Sequence, residues 1–362
     1  MALPICIGRL SVRPMADPAH LRHLLRAFTA IPGISGHEDA IATAFLSAVA
    51  GVAAESRIDN LCNAIVRLPS LPEGSTRTKI ALVAHLDTVG MLVKRRNPDG
   101  TLGVVRVGGL NMKAAPGSAV RVGDRPGMIT VRSEHQARAG EGIPDQDDLA
   151  IQTGADSVPV TTPITFAPQT VEMGDLYASP SLDDRAGCAV LVEVAHQIAG
   201  RTPHDVVLIG SAQEETTCSG VLAALEAVRP DAAIFVDGTV SYDTMETRGK
   251  GEVALGKGPV LLDFLYVSGL NGWHAHPRLK AYLMDVAAAH GISLQADAVH
   301  GLMSDARVAP ALGIPSALVG LPMRGKHGPL ETIHLTDLAA AVDLLSAVLL
   351  APLPSLNRGV LP

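Results

Sequence analysis

A chain of 362 residues, 47% hydrophobic and 18% charged, carries enough apolar mass for one large domain and a smaller one. Its net charge of -7 excludes nucleic acid as the main partner, and no apolar run reaches the ~20 residues that a membrane-spanning helix needs. The scattered cysteines Cys6, Cys62, Cys188 and Cys218 show no paired spacing and read as reduced thiols in a cytoplasmic protein.

No basic segment precedes the short apolar stretch at the N-terminus, so a secretory signal is not expected. Asp17-Pro18 suits the cap and first turn of a helix, which makes Met15 a candidate native start with disorder expected before it. Apolar residues recur at helical spacing over 21–29 and 38–49, with breaks at Pro32-Gly33 and Gly36. Residues 57–68 read as a strand that turns at Asp59-Asn60. Residues 79–84 form a continuous apolar run of the kind found in the middle of a parallel sheet.

Between 89 and 173 the character changes. Short strand-like runs at 102–107, 119–122, 128–131, 149–152 and 164–166 alternate with Gly, Pro and charged turns, and no helical period is present. This predicts an inserted small all-β domain. Beyond it, helices are expected over 186–198, 218–228, 305–312 and 335–350 and within 273–290. Strands are expected over 206–212, 232–236, 293–296 and 316–319. The expected fold is α/β: a mostly parallel sheet with helices on both faces, built from 1–88 and 174–362 and interrupted by the β insert at 89–173.

Ligands of open parallel sheets gather at the carboxyl ends of the strands. The metal-competent residues follow that rule. His85-Leu86-Asp87 ends one strand, Glu214-Glu215 another and Asp237 a third; His327 lies in the loop beyond a fourth, and Asp183-Asp184 stands just before a helix. Side chains of neighbours on an extended chain diverge, so one of Glu214 and Glu215 can hold a cation while the other reaches water beside it. A metal-dependent hydrolase needs that division between ligand and base. The plain alternatives are an exposed glutamate pair at a turn and, for Asp184, a helix cap. No phosphate-cradling loop, Gly-x-Ser-x-Gly elbow or Gly-x-Gly-x-x-Gly fingerprint occurs.

His85-x-Asp87, the run from Ser181-Leu182-Asp183-Asp184-Arg185 to Cys188, Gln213-Glu214-Glu215, Val236-Asp237 and His327-x-Pro329-x-Glu331 occur in that order. Together they resemble the tetrahedral di-metal aminopeptidases, the glutamyl aminopeptidase or "cellulase M" type peptidases. The resemblance runs from about Leu21 to the end and includes the insert, with its Val107-Gly108-Gly109 and Asp148-Leu149-Ala150-Ile151 segments.

The resemblance implies that His85, Asp183, Glu215, Asp237 and His327 hold two divalent ions, zinc first, with cobalt or manganese as alternatives. It makes Asp183 the bridging ligand, with a cis Asp183-Asp184 peptide. It makes Glu214 the general base that takes a proton from the water held between the ions, leaving the hydroxide that attacks, and Asp87 the partner that fixes the tautomer of His85. The implied activity is aminopeptidase action on short peptides. The implied assembly is a homo-oligomer in which the β insert forms dimers that build a tetrahedral dodecamer. A deacylase or carboxypeptidase acting on N-acyl or dipeptide substrates would use the same core. An assembly or binding protein that keeps the fold without catalysis is the alternative of another class, and the intact Glu214 counts against it.

His334 competes with His327 for the last ligand position. His274-x-His276 is expected outside the metal set, with His276 as a candidate substrate contact. Asp305 stands where the family often has a Thr-Asp pair near the site, and Cys188 and Cys218 read as packing. Thr88, the run 300–304 and Met323-Arg324-Gly325-Lys326 depart from the common family pattern, and are expected to shape the substrate side.

Overall fold

The computed structural model describes residues 16–72, 77–131, 145–154, 157–269 and 271–357; Cys6 and Met15 lie outside the described residues. Two helices open the fold, α1 (Pro18–Thr29) and α2 (Asp39–Val49). The Asp17 carboxylate caps α1 by accepting from the Ala19 N–H, and Pro18 occupies its first turn, where no N–H is needed. The hairpin β1 (Glu55–Ile58) and β2 (Ala64–Arg67) leads to β3 (Lys79–His85).

Next come β4 (Gly90–Arg96), β5 (Leu102–Val107), β6 (Ala119–Val122), β7 (Arg125–Val131), β8 (Leu149–Thr153) and β9 (Pro163–Phe166). These close into a barrel in the order β4-β5-β8-β7-β6-β9. It has its own apolar core of Met91, Val93, Leu102, Val104, Val120, Ile129, Ile151 and Ile164. The inserted all-β unit is therefore present, and closure removes its sheet edges.

The chain then enters β10 (Val171–Met173) and β11 (Leu176–Ser179), followed by α3 (Leu182–Ile198), β12 (Asp205–Ser211), α4 (Ser219–Val228) and β13 (Ala232–Val240). It finishes with β14 (Val260–Ser268), β15 (Asn271–His274), α5 (Pro277–His290), β16 (Gln295–His300), a 3-10 helix (Asp305–Leu312), β17 (Ser316–Met323), β18 (Glu331–His334) and α6 (Leu335–Leu350). The main sheet runs β1-β2-β12-β3-β13-β17-β14-β15, with β16 beside β14. Its centre, β12-β3-β13-β17, is parallel. A separate three-stranded sheet joins β10, β11 and β18.

The central strands are apolar on both faces because helices cover both. Ile80, Leu82 and Ala84 point into one core with Val206, Leu208, Ile234 and residues of α3 and α6. Ala81 and Val83 point into the other with Val207, Ile209, Phe235 and residues of α4. That is why these strands read as uninterrupted hydrophobic runs rather than alternations. Polar side chains are left to the strand ends. No helix among the described residues is long and apolar enough to cross a membrane.

Candidate metal centre

The carboxyl edge of the parallel centre gathers the charged groups. His85 is the last residue of β3, and Asp237 lies in β13. Glu214 and Glu215 follow β12, after Gln213 in the left-handed region (φ +62). Asp183 opens α3, and its peptide bond to Asp184 is cis. His327 sits in the turn after β17, also left-handed (φ +63). Non-glycine residues rarely take that conformation, and surrounding hydrogen bonds must hold it. Gln213 is held through its N–H, which donates to Glu38 Oε1 at 3.1 Å, and through its carbonyl, which accepts from the Thr217 and Cys218 N–H groups. The His327 N–H donates to Glu331 Oε1.

Two triads share Asp183, His85-Asp183-Asp237 and Asp183-Glu215-His327, each with ligand-type atoms within 4.8 Å of one another. His85, Glu214 and Glu215 meet the same limit and join the two. His85 Nε2 lies 3.4 Å from Asp183 Oδ1, 3.8 Å from Asp237 Oδ1 and 3.9 Å from Glu214 Oε2. His327 Nε2 lies 3.0 Å from both Asp183 Oδ2 and Glu215 Oε1.

Both imidazoles are oriented from behind. His85 Nδ1 faces the Asp87 carbonyl at 3.0 Å, and His327 Nδ1 faces the Gly109 carbonyl at 2.9 Å. Each carbonyl calls for a proton on Nδ1 and leaves Nε2 as the free donor pair toward the cluster. Gly238 clears the space, because a Cβ there would stand 2.9 Å from Asp183 Oδ1. Gly108 (φ +77) brings the barrel edge against Glu215, where a Cβ would sit 3.3 Å from Glu215 Cβ.

The donor set fits divalent ions. Asp183 Oδ1, Glu215 Oε1 and Asp237 Oδ1 are buried and have no hydrogen-bond partner. Buried anionic oxygens without donors are costly unless a cation lies among them. Imidazole and carboxylate are the ligands that zinc, cobalt and manganese accept. A cleft of about 370 Å³ opens over the cluster, lined in part by Gly109, Glu214, Glu215, Asn271, Lys326 and His327.

The pattern of the M42 glutamyl aminopeptidase family matches residues 63–344. The chain belongs to that family. As an M42 member it is a metal-dependent peptidase of the aminopeptidase type, and membership implies divalent ions. It is 34% identical over 335 residues to the Escherichia coli (strain K12) protein SgcX, provisionally named an aminopeptidase, covering 87% of this chain and 89% of that protein. It is 29% identical over 346 residues to the lysyl aminopeptidase of Pyrococcus furiosus, covering 90% and 96%. Among solved structures, an aminopeptidase of the archaeon Desulfurococcus kamchatkensis superposes with a TM-score of 0.85 at 24% identity over 92% of this chain and 95% of that one, a likeness of fold. The dodecameric PhTET1-12s structure superposes with a TM-score of 0.78 at 25% identity over 90% and 98%.

Around this M42 centre, several groups have positions that the sequence did not disclose. The Asp87 carboxylate lies 3.6 Å from His85 Nδ1, farther than the Asp87 carbonyl. It instead accepts from the Glu214 N–H at 2.9 Å and the Glu215 N–H at 3.1 Å, and from the Ser35 hydroxyl, so it fixes the glutamate turn. Asp184 does cap its helix, accepting from the Gly187 N–H at 2.9 Å, and it also receives the His85 N–H. Glu331 accepts from the Asp183 N–H at 2.9 Å as well as from the His327 N–H, and so ties two cluster residues together. Burial lifts its carboxyl to about 8.

Lys326, expected on the substrate side, lies instead against the cluster: its half-buried side chain brings Nζ to 2.8 Å from Asp183 Oδ2, 3.7 Å from Asp237 Oδ1 and 2.8 Å from the Gly238 carbonyl. Burial pushes Asp183 up, but Lys326, His327 and His85 outweigh it and hold its carboxyl well below the usual range. Glu214 goes the other way: burial raises it well above an ordinary glutamate, against the opposing pull of His85.

His334 caps α6 at the Thr336 N–H and stays out of the triads. His274 ends the edge strand β15 and His276 stands at the N-cap position of α5 without a side-chain hydrogen bond to the helix, and neither joins a triad. Asp305 is buried beside the site and receives the Ser211 hydroxyl. The roles of Lys326 and Glu331 depend on backbone turns, and no spacing rule would have found them.

Proposed function

We propose that this M42 chain removes the N-terminal residue from short peptides using two divalent ions, zinc first and cobalt or manganese as alternatives. His85, Asp183 and Asp237 would hold one ion, and Asp183, Glu215 and His327 the other. The observation that carries this reading is the pair of triads sharing Asp183, with a raised, buried Glu214 carboxyl at their edge.

When bound, such ions supply Lewis-acid polarisation of the scissile carbonyl and acidify water. The chain's own groups do the rest. Glu214 takes a proton from water at its carboxylate and returns it to the leaving amine, a role suited to a carboxyl that burial raises well above an ordinary glutamate. Asp87 holds the peptide N–H groups of Glu214 and Glu215, keeping base and ligand in register. The cleft walls position the peptide and exclude bulk water.

The same reading assigns the chain to the cytoplasm, supported by the free thiols Cys62, Cys188 and Cys218. It divides the chain into a catalytic domain of 1–88 and 174–362 and a dimer-forming insert of 89–173. It makes the assembly a homo-oligomer, in which dimers through the insert build a tetrahedral dodecamer. Support comes from PhTET1, which forms a dodecamer, and from the Pyrococcus horikoshii TET1 peptidase, which assembles into a tetrahedron or an octahedral shell.

The test is a panel of free-amine and N-blocked amides against ion-reconstituted protein, with Glu214→Gln alongside. Turnover restricted to free amines, lost by a factor of about 10²–10⁴ in Glu214→Gln at unchanged ion content, is expected. Turnover on N-blocked substrates would point instead to a deacylase or carboxypeptidase. No turnover on any substrate after ion loading would point to a non-catalytic assembly protein.

A further inference from the structure

Beside the triads lies another group, of which the reaction scheme uses only Glu214. Glu214, Cys218 and Asp305 bring a carboxylate oxygen, Sγ and a second carboxylate oxygen within 4.8 Å of one another. Asp305 is 3% exposed, and its Oδ1 has no hydrogen-bond partner; its other oxygen receives the Ser211 hydroxyl. An unsatisfied buried carboxylate oxygen beside a thiol is a ligand set in waiting.

The sulfur is also oriented. Cys218 stands at the N-terminus of α4 in the left-handed region (φ +55), and Arg307 Nε donates to its Sγ at 3.4 Å while Arg307 Nη2 donates to the Thr217 carbonyl at 3.1 Å. Burial and the Asp305 and Glu214 carboxylates hold the Cys218 thiol well above its usual range, and the Arg307 guanidinium only partly opposes them, so an ion must displace the proton to bind the sulfur. Cys218 and Arg307 lie on the same cleft as Glu214, so an ion arriving from solvent meets two of the three ligands there, with Asp305 buried behind them.

We propose that Glu214, Cys218 and Asp305 form a third cation site, selective for thiophilic ions such as zinc or cadmium, whose occupation silences the enzyme by capturing Glu214. Sulfur selects the softer ions, since manganese and magnesium prefer oxygen. Two ligands each ~2.0–2.3 Å from a zinc ion stand at most ~4.6 Å apart, close to the 4.8 Å within which the three atoms lie. On binding, the Cys218 S–H bond breaks, a sulfur–metal bond forms and the proton leaves to solvent; no electron transfer is involved. The silencing, though not the ion site itself, rests on the reading of Glu214 as the base.

The experiment loads the full-length protein with manganese and then titrates cadmium or zinc while following three signals. These are the ultraviolet thiolate-to-cadmium charge-transfer band, ion stoichiometry and turnover, with each protein compared to its own zinc-free rate. Expected are a charge-transfer band, one further ion per chain and a parallel loss of at least tenfold in turnover. Cys218→Ser should abolish the band and the inhibition, and Asp305→Asn should weaken both by about tenfold or more. No charge-transfer band in the wild-type protein overturns the site, as does zinc inhibition that is unchanged in both variants. A band and an extra ion without loss of turnover keep the ion site and overturn the role given to Glu214, so the two failures are told apart.

Discussion

Replacing Lys326 with methionine should tighten divalent-ion binding. The Lys326 ammonium lies 2.8 Å from Asp183 Oδ2 and 3.7 Å from Asp237 Oδ1, among oxygens that both proposed ions would use. A single positive charge about 4 Å from a dication repels it by about 8 kcal/mol at an effective dielectric of ~20. That is a ceiling, because four methylenes let the ammonium withdraw into the cleft and shed most of the repulsion. If about 1.4–2.8 kcal/mol survives, Lys326→Met binds ions roughly tenfold to a hundredfold more tightly. Methionine keeps the length and apolar stem while removing the charge. The assay is calorimetric titration of the chelator-stripped protein with zinc or manganese. The same variant should melt lower than wild type in chelator, because Asp183 loses a cationic partner, and the deficit should close once ions are added. Unchanged or weaker ion affinity in Lys326→Met would refute the reasoning and make the lysine a helper of the ions rather than a rival.

His85→Ala and His327→Ala should each lose about one ion per chain, as read by elemental analysis; full occupancy in both variants would remove these residues from the ligand set. Gly238→Ala puts a Cβ 2.9 Å from Asp183 Oδ1, so ion affinity should fall about tenfold and the melting temperature should drop with a cost of about 1–3 kcal/mol, measured by calorimetry. Asp243 accepts both arms of Arg324 at 2.7 Å, and this pair holds its carboxyl below the usual range. A depressed folded-state value stabilises the fold above the ordinary carboxylate range and is lost as pH falls through the lowered value. With both partners partly exposed, the contribution is about 1 kcal/mol, and Asp243→Asn should flatten the acid side of the melting-temperature profile by that amount.

The parallel centre and the ends of its strands were legible because burial on both faces leaves a run such as residues 80–84 without a polar residue, so the next charged or polar group marks the strand end. The 3.6-residue period exposed α1, α2, α3 and α6 for the same reason. β4 was missed because Lys94, Arg95 and Arg96 at its outer end look like a turn. β14 was missed because Asp263 and Tyr266 interrupt a strand whose far end is exposed. The helix expected over 305–312 is a 3-10 helix, and Pro310 inside it removes an N–H that an α-helix would use. At the centre, residue types and order pointed to His85, Asp183, Glu215, Asp237 and His327. The hydrogen bonds that aim them run through peptide groups, and peptide groups carry no side-chain signal. The Asp87 carbonyl behind His85 is one case, and the N–H groups that Glu331 and Asp87 accept are others.

The chain just past β5 reaches out of the barrel to clasp His327: the Gly109 carbonyl faces its ring, and the Asn111 N–H donates to its carbonyl at 3.0 Å. An imidazole of the hydrolytic centre is thus anchored to the accessory module as well as to its own loop. Whatever leans on the barrel tugs on that anchor. On the proposed assembly, in which the barrel forms the subunit contacts, thermodynamic reciprocity would make any effect of association on ion affinity return as an equal effect of ions on association.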